Sequence, residues 1–361
     1  MRYIFIIQGE GRGHLTQALA LSQLLRSAGH TVVEVVVGRC KNREVPKFFS
    51  EKIDAPITLV DSPTFDYGGG GKRGNILSTV LTNGRPSKVL KWVRSAKSIS
   101  KRIEESGADV VVNFYELLMG ITKMISKVRV PIVSIGHQFL VDHPLFAHRE
   151  GRESGAAMLS FANRVASYGS KKRLALSFYP LESDEKRHIN VVPPLLRPAI
   201  FEQRIEMGDF ILGYMLNPAF LSEVEEWKSR NPEAKVHLFW DKQGAAEIEE
   251  RMEGLWLHKI NDSEFLRLMS GCRGYVTTAG FESVCEALYL GKPTLMIPAH
   301  LEQEINAADA HSVGAGEVAP EFNISLLEGA IDGYRADTQG FREWVDSARE
   351  RFLEELTNLE F

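Results

Sequence analysis

Short apolar runs alternate along this chain with segments in which apolar residues recur at helical spacing. Residues 3–7 form a continuous apolar run, as in a strand that is buried on both faces, and residues 32–37 form a second one. A glycine-rich stretch lies between them, followed by a helical pattern at Leu15, Ala18, Leu21, Leu25 and Ala28. This strand–loop–helix–strand unit is repeated, which predicts an α/β protein with doubly wound parallel sheets.

The length of 361 residues favours two domains, and a proline-rich segment marks the boundary between them. Residues 192–198 contain three prolines and are typical of an extended link. We therefore expect an N-terminal domain at 1–192, a second domain at 193–340, and a helix at 341–361 that crosses back to the first. Further strands are predicted at 57–60, 109–114, 131–135, 209–214, 235–239, 255–258, 274–278 and 294–298.

The composition argues against several classes of protein. The net charge of −4 gives no global surface for a polyanion, so no nucleic-acid partner is expected. The three cysteines have no metal-binding spacing, and their odd number argues against a disulfide framework. The N-terminus has no signal-peptide pattern, and no apolar run is long enough to span a bilayer. We expect a cytoplasmic protein.

Residues 277–306 carry the strongest indication of function. Gly280 precedes a helix whose apolar face is formed by Phe281, Val284, Cys285 and Leu288. The helix N-terminus carries a partial positive charge, and glycine lets a phosphate approach the backbone. Glu286 lies roughly 9 Å further along the axis at the usual helical rise. Its carboxylate could accept both hydroxyls of a ribose, or it could belong to a solvated acidic face.

This segment resembles the donor-nucleotide motif of GT-B glycosyltransferases, in particular family 1 UDP-glycosyltransferases and the family 28 enzymes that add N-acetylglucosamine to the peptidoglycan lipid precursor. The resemblance implies two Rossmann-like domains that face a cleft, with the donor held by the C-terminal one. It also implies that the nucleotide-sugar is a substrate, with no cofactor and no metal. The donor-binding residues that it implies are Gly11, Gly13, Asn217, Ile260, Thr278, Gly280, Phe281, Glu286, Glu302, Gln303 and Asn306.

The N-terminal glycine loop supplies the candidate catalytic base. Its spacing, Gly9, Gly11 and Gly13, does not match the dinucleotide fingerprint, and Arg39 stands where an acidic residue would close the second strand. An NAD site is therefore disfavoured. His14 follows at a helix start, where the positive helix end favours a neutral ring that can take a proton. A capping or phosphate-contacting role for His14 stays open, and Glu10 is the alternative base.

Other strand-end loops are candidates for the acceptor side. Glu116 and His137 follow predicted strands, where ligands bind in open α/β sheets. Residues 61–88 include a glycine-rich, basic stretch that suits an anionic or lipid-linked acceptor, a peripheral contact with the inner face of the membrane, or a solvated loop. The loop at 215–218 lacks the glycine and serine of the resembling families, so the identity of the donor stays undetermined.

These features predict an inverting, metal-independent glycosyltransferase that moves a sugar from a nucleotide diphosphate sugar to a hydroxyl acceptor. The chain contains no Asp-x-Asp pair of the kind that holds a cation on a donor pyrophosphate in other glycosyltransferases. The resemblance implies UDP as the nucleotide. The alternatives are a nucleotide-sugar hydrolase or epimerase on the same fold, and a non-catalytic donor-binding subunit.

Overall fold

A computed structural model describes residues 1–9, 11–39, 45–63, 86–146, 153–215, 220–240, 242, 244–321 and 323–359. The chain divides into two compact units. One ends at Arg197 and also includes the residues from Trp344 onward, and the other extends from Pro198 to Glu343.

The first unit is built on a seven-stranded sheet with the order β3-β2-β1-β4-β5-β6-β7, in which every neighbouring pair is parallel. Its strands are β1 Arg2–Gln8, β2 Thr31–Arg39, β3 Ile57–Asp61, β4 Val110–Phe114, β5 Ile132–Ile135, β6 Lys172–Leu176 and β7 Ile189–Val192. The helices among them are α1 Gly13–Ser27, α2 Lys47–Lys52, α3 Pro86–Ser106, α4 Leu117–Ile125 and α5 Glu153–Ala166, with 3-10 turns at His137–Asp142 and Glu185–Arg187.

The second unit holds another seven-stranded sheet, with the order β10-β11-β9-β8-β12-β13-β14. Its strands are β8 Phe210–Met215, β9 Lys235–Trp240, β10 Ile248–Met252, β11 Leu255–Lys259, β12 Gly274–Thr277, β13 Thr294–Met296 and β14 Gly316–Val318. A 3-10 turn, Pro198–Ile200, precedes them. Its helices are α6 Leu221–Arg230, α7 Asp262–Gly271, α8 Phe281–Tyr289, α9 Leu301–Ser312 and α10 Ser325–Asp332. Helix α11, Thr338–Asp346, begins in this unit and passes into the first unit at Trp344, and α12, Ala348–Thr357, belongs to the first unit.

The central strands are buried on both faces, as the continuous apolar runs predict. Residues Tyr3 to Ile7 of β1 are wholly inaccessible to solvent, and every residue of β4 is buried. Helices cover both faces of such a sheet, so strand residues have no solvated side and need not alternate in polarity. The prediction of doubly wound parallel α/β sheets is confirmed.

Two strands of the second sheet escape prediction. The residues of β10 are mostly polar and mostly exposed, and this strand pairs with β11 in an antiparallel hairpin at the sheet edge. Gly254, with φ of 75°, lies in the turn. β14 has only three residues, which is too short for a periodic pattern. The predicted strand at 294–298 stops at Met296, two residues before Pro298.

The reversal of strand order fixes where the functional loops lie. In the first sheet β1 lies between β2 and β4, and in the second sheet β8 lies between β9 and β12. Loops at the carboxyl ends of such strand pairs diverge and leave a crevice in which ligands bind. The loops of interest are therefore those that follow β1, β4, β8 and β12.

The closing helix α12 packs on the first unit. The hydroxyl of Tyr3 donates a hydrogen bond to the carbonyl of Leu356 over 3.3 Å, and Lys172 Nζ lies 2.8 Å from Glu355 Oε2. The Trp344 indole N–H donates to the carbonyl of Ser177 over 2.9 Å. Within the described part of the chain, no helix combines the length and apolarity needed to cross a membrane.

Candidate functional site

His14 lies in the first turn of α1 and is buried. Its Nδ1 is 3.2 Å from Gln17 Oε1, three residues further along the helix. If Nδ1 carries the proton and donates to Gln17, Nε2 is left as the basic nitrogen. Burial lowers the pKa of His14 to about 4, against the smaller, opposing effect of the Gln17 hydrogen bond. The ring is therefore neutral at pH 7, as predicted, and burial is the main cause.

Tyr115 connects His14 to the loop that follows β4. The two rings are nearly parallel, at 17°, with centroids 6.1 Å apart. Tyr115 has a φ of 53°, in the left-handed region that non-glycine residues rarely adopt. Its hydroxyl donates to Asn163 Oδ1 over 2.6 Å, and Asn163 Nδ2 donates to the carbonyl of Gln138 over 2.8 Å. The buried Asn163 on α5 thus holds the strained residue in place.

Glu116 is enclosed at the carboxyl ends of three strands. Its Oε1 accepts hydrogen bonds from Ser62 Oγ after β3, over 2.7 Å, and from the N–H of Leu118, over 3.0 Å. Its Oε2 lies over Gly38 in β2, so close that a Cβ on this glycine would be 1.9 Å from it. Among the described residues, Oε2 has no hydrogen-bond partner. Burial raises the pKa of Glu116 to about 7, although both hydrogen bonds act to lower it.

His137 follows β5 at the start of a 3-10 turn. Its Nδ1 donates to the carbonyl of Leu176 at the end of β6, over 2.7 Å, which fixes the ring orientation. Burial lowers the pKa of His137 to about 4, so this ring is also neutral at pH 7. The structure thus brings three of the predicted residues, His14, Glu116 and His137, to the carboxyl edge of one sheet. Each is buried there rather than exposed.

Several predicted features lie outside the described residues. These are Glu10, the alternative base; Asn217, a predicted donor-binding residue; and residues 64–85 of the glycine-rich basic stretch. Gly11 and Gly13 are described. Gly11 is exposed, and a Cβ there would meet no described atom within 4 Å beyond its chain neighbours, whereas Gly13 is the first residue of α1.

The turn between β12 and α8 is formed by Thr278, Ala279 and Gly280. Ala279 adopts a left-handed conformation with φ of 62° and is fully buried. Gly280 is the N-cap of α8, with φ of −65° and ψ of 129°. It has no side chain with which to cap the helix, and a Cβ on it would meet only Ser283 Oγ, at 3.8 Å. The first turn of α8 therefore begins at a backbone that other groups can approach.

Two amide side chains of α9 bind this turn. Gln303 Nε2 donates to Thr278 Oγ1 over 3.3 Å, and its Oε1 accepts from the N–H of Ala299 over 2.9 Å. Asn306 Nδ2 donates to the carbonyl of Ala279, also over 3.3 Å. Both side chains are buried. Gln303 acts much like the third residue of a capping box, since it bonds the backbone just before its own helix.

The other donor-side residues lie around the same turn or further along the sheet edge. Phe281 is the first residue of α8, and Glu286 lies one and a half turns further on, fully enclosed. Glu302 is half-buried in the first turn of α9. Ile260 follows β11, three strand positions from β12, which is about 14 Å at the usual spacing.

The sequence did not indicate several residues that shape these loops. Asn163, Ser62 and Gly38 act from distant segments, and no local pattern marks them. The sequence indicated Gly280 as the residue that precedes the helix and admits a phosphate, whereas the left-handed conformation in this turn falls on Ala279. A search of the described residues finds no group of three or more His, Cys, Asp or Glu residues placed to hold a metal ion.

The chain resembles known proteins over most of its length. Residues 1–329 match the family described as glycosyl transferase family 1. A protein of Methanosarcina acetivorans described as an uncharacterized glycosyltransferase is 25% identical, with the alignment covering 96% of this chain and 92% of that protein.

Solved structures of similar fold include a glycotransferase of kitacinnamycin, with a TM-score of 0.66, 15% identity, and coverage of 99% of this chain and 98% of that one. They also include the spinosyn forosaminyltransferase SpnP, with a TM-score of 0.60, 15% identity, and coverage of 99% and 100%. The calicheamicin glycosyltransferase CalG4 has a TM-score of 0.57, 16% identity, and coverage of 99% and 98%. At these identities the likeness concerns the fold alone, and it confirms the GT-B architecture predicted from the sequence.

Proposed function

The chain belongs to glycosyl transferase family 1, and we propose that it transfers a sugar from a nucleoside diphosphate sugar to an acceptor hydroxyl with inversion at the anomeric carbon. The observation that carries this proposal is the turn from β12 into α8. There an accessible N-cap glycine precedes a helix that carries a glutamate, and two side chains of α9 bind the turn.

The second unit is proposed to hold the donor. The diphosphate lies at the N-terminus of α8, where the helix dipole and the first backbone N–H groups favour negative charge. Apart from Gly280 and its two chain neighbours, the nearest described atom to the position of a Cβ on Gly280 is Ser283 Oγ, at 3.8 Å, which leaves space for a phosphate oxygen. Glu286 accepts the ribose hydroxyls, and its full enclosure means that neighbouring side chains must move to admit them. Thr278, Phe281 and Glu302 complete the donor side, with the base near Ile260.

The first unit is proposed to supply the base. Nε2 of the neutral His14 takes the proton of the acceptor hydroxyl as its oxygen attacks the anomeric carbon. The bond from that carbon to the diphosphate oxygen breaks, and the leaving nucleoside diphosphate takes the electron pair. The positive end of α8 stabilises the charge that develops on it, so the proposal needs no divalent cation. Glu116 and His137 are proposed to face the acceptor.

UDP is proposed as the nucleotide on the family resemblance. The test incubates the full-length protein with a panel of UDP-, TDP- and GDP-sugars, with and without a mixture of alcohols, lipid alcohols and sugar acceptors, in the presence of EDTA. Chromatography measures the release of nucleoside diphosphate. Release that requires both a UDP-sugar and an acceptor, with a β-linked product from an α-linked donor by NMR, is the expected result.

Three other outcomes would each contradict a different part of the proposal. Release at the same rate without any acceptor would make the protein a nucleotide-sugar hydrolase. Release only after a divalent cation replaces EDTA would contradict the metal-independent step. Retention of the donor configuration in the product would contradict a single in-line displacement.

A further inference from the structure

Ala279 has a conformation that its side chain disfavours. Its φ of 62° lies in the left-handed region, where the Cβ of an L-residue crowds the following carbonyl. The cost corresponds to about a tenfold lower population of this conformation, at the usual energy for a non-glycine residue. Gly280, which could adopt it freely, has an ordinary φ of −65° instead. Other contacts must therefore hold Ala279 in place.

The amides of α9 supply these contacts. Asn306 bonds the carbonyl of Ala279 itself, and Gln303 bonds the side chain of the preceding Thr278. Their side chains are only 3% and 6% exposed, so water competes poorly for the bonds. The carbonyl of Ala279 belongs to the peptide that leads into Gly280. Its orientation therefore sets the direction in which the backbone enters α8.

We propose that Gln303 and Asn306 are positioning residues, which hold Ala279 left-handed and thereby orient the first turn of α8 toward the ligand. This inference rests on the proposed function, because the oriented turn is the proposed diphosphate site. It differs from the role implied by the family resemblance, in which this segment contacts the donor sugar directly. Here the two side chains act on the ligand through the turn before α8, Asn306 by its bond to the backbone and Gln303 by its bond to the Thr278 hydroxyl.

Glycine at position 279 separates the two roles. The Ala279→Gly substitution removes the conformational penalty, so the turn should keep its form even when an amide is lost. We expect Asn306→Ala and Gln303→Ala each to weaken UDP binding about tenfold, as measured by calorimetry. Ala279→Gly alone should bind UDP within about threefold of wild type. Combined with either amide variant, it should return the affinity to that range.

Glu286→Ala is the matched control. Glu286 is proposed to contact the ribose directly, so Ala279→Gly should not restore the affinity lost in Glu286→Ala. Should Asn306→Ala fail to fold, Asn306→Ser takes its place. Affinity that stays low in both amide double variants would overturn the proposal, because it would show that the amides contact the ligand themselves.

Hydrogen exchange of residues 278–284 tests the same proposal without a ligand. Asn306→Ala should speed the exchange of these amides about tenfold, and the added Ala279→Gly should slow it again. Unchanged exchange in Asn306→Ala would overturn the proposal. If the exchange pattern appears but wild-type protein binds no UDP, the proposed function fails while the positioning of the turn stands.

Discussion

Tyr115 and Ala279 occupy the same topological position in the two sheets, and both have left-handed backbones. Tyr115 follows β4, the strand beside β1, and Ala279 follows β12, the strand beside β8. Among the described residues that are not glycine, only His188 shares such a φ, and it ends a short 3-10 turn. Strained residues of this kind collect at functional sites, where surrounding contacts hold them. Each unit thus has a strained backbone residue beside its candidate site.

Loss of Asn163 should destabilise the first unit through two buried groups. Asn163→Ala leaves the Tyr115 hydroxyl and the Gln138 carbonyl without this partner, at about 1–3 kcal/mol for each buried group. We expect a loss of about 2–4 kcal/mol in the free energy of unfolding, measured with urea. Tyr115→Phe should cost about 1 kcal/mol, and the double variant less than the sum of both. Tyr168→Phe, at a residue 49% exposed, is the control and should change little. If the free-energy losses of the two single variants simply add in the double variant, Asn163 and Tyr115 do not belong to one hydrogen-bond network.

The charge of Glu116 should make the protein less stable in alkali. Because its pKa is raised from 4.5 to about 7, its neutral form is favoured by folding. The stability from this group is fully present below pH 4.5 and is lost as the pH rises through 7. The corresponding free energy is roughly 3 kcal/mol.

Glu116→Gln removes this dependence while keeping an oxygen for Ser62 and Leu118 to bond. Urea unfolding is measured from pH 4.5 to 9. As the pH rises, the free energy of unfolding of the variant should increase by a few kcal/mol relative to that of wild type. Parallel curves for the two proteins would show that folding does not raise the pKa of Glu116.

Gly38 should tolerate no side chain. The Cβ of Gly38→Ala would lie 1.9 Å from Glu116 Oε2 and 2.9 Å from Ser62 Cβ, so both must shift. Overpacking of this kind costs about 1–3 kcal/mol. Part of this lost stability should be regained in Gly38→Ala/Glu116→Ala, because the second substitution removes the nearest atoms. Gly329→Ala is the control, since it has open space in the middle of α10 and should slightly stabilise the helix. Thermal unfolding compares these three variants with wild type; a fully tolerated Gly38→Ala would contradict the packing.

His14 should stay neutral well into the acid range. Its pKa of about 4 means that the folded state excludes the charged ring, so its stability contribution is present above pH 6.5 and is lost as the pH falls through 4. Nitrogen-15 NMR of histidine-labelled protein should show Nδ1–H and an unprotonated Nε2 at pH 6. With donor and acceptor, His14→Ala should lower turnover by about 10²–10⁴-fold. A titration midpoint near pH 6.5 for the His14 ring would contradict the burial of this side chain.

The sequence predicted the elements that depend on local patterns. β1 and β4 are continuous apolar runs because both their faces are covered. The apolar face of α8 is visible directly in the sequence, and Gly291, with φ of 69°, follows the C-cap of this helix. β10 could not be predicted, since an exposed edge strand needs no apolar face.

The environments of the site residues depend on contacts between distant segments. Glu116 follows a strand like many solvated carboxylates, and only Gly38 and Ser62, from two other strand ends, enclose it. Ala279 stands next to a glycine that could have made the turn. The left-handed conformation falls on the alanine, and amides 24 and 27 residues further along the chain bond this turn.

The diphosphate site at Gly280 is the central claim, and one substitution separates ligand binding from folding. Gly280 has backbone angles that any residue can adopt and open space at its Cβ position. Gly280→Val should therefore fold, with a melting temperature lowered by only a few degrees because valine is a poorer N-cap than glycine, while its methyl groups occupy the space proposed for the phosphate.

Calorimetric titration of UDP into wild type and Gly280→Val measures this directly. We expect UDP to bind wild type with a dissociation constant below about 1 mM, the upper range for enzyme substrates, and to bind the variant at least about tenfold more weakly. Equal affinity for the two proteins, or no binding of UDP to wild type at millimolar concentration, would contradict it.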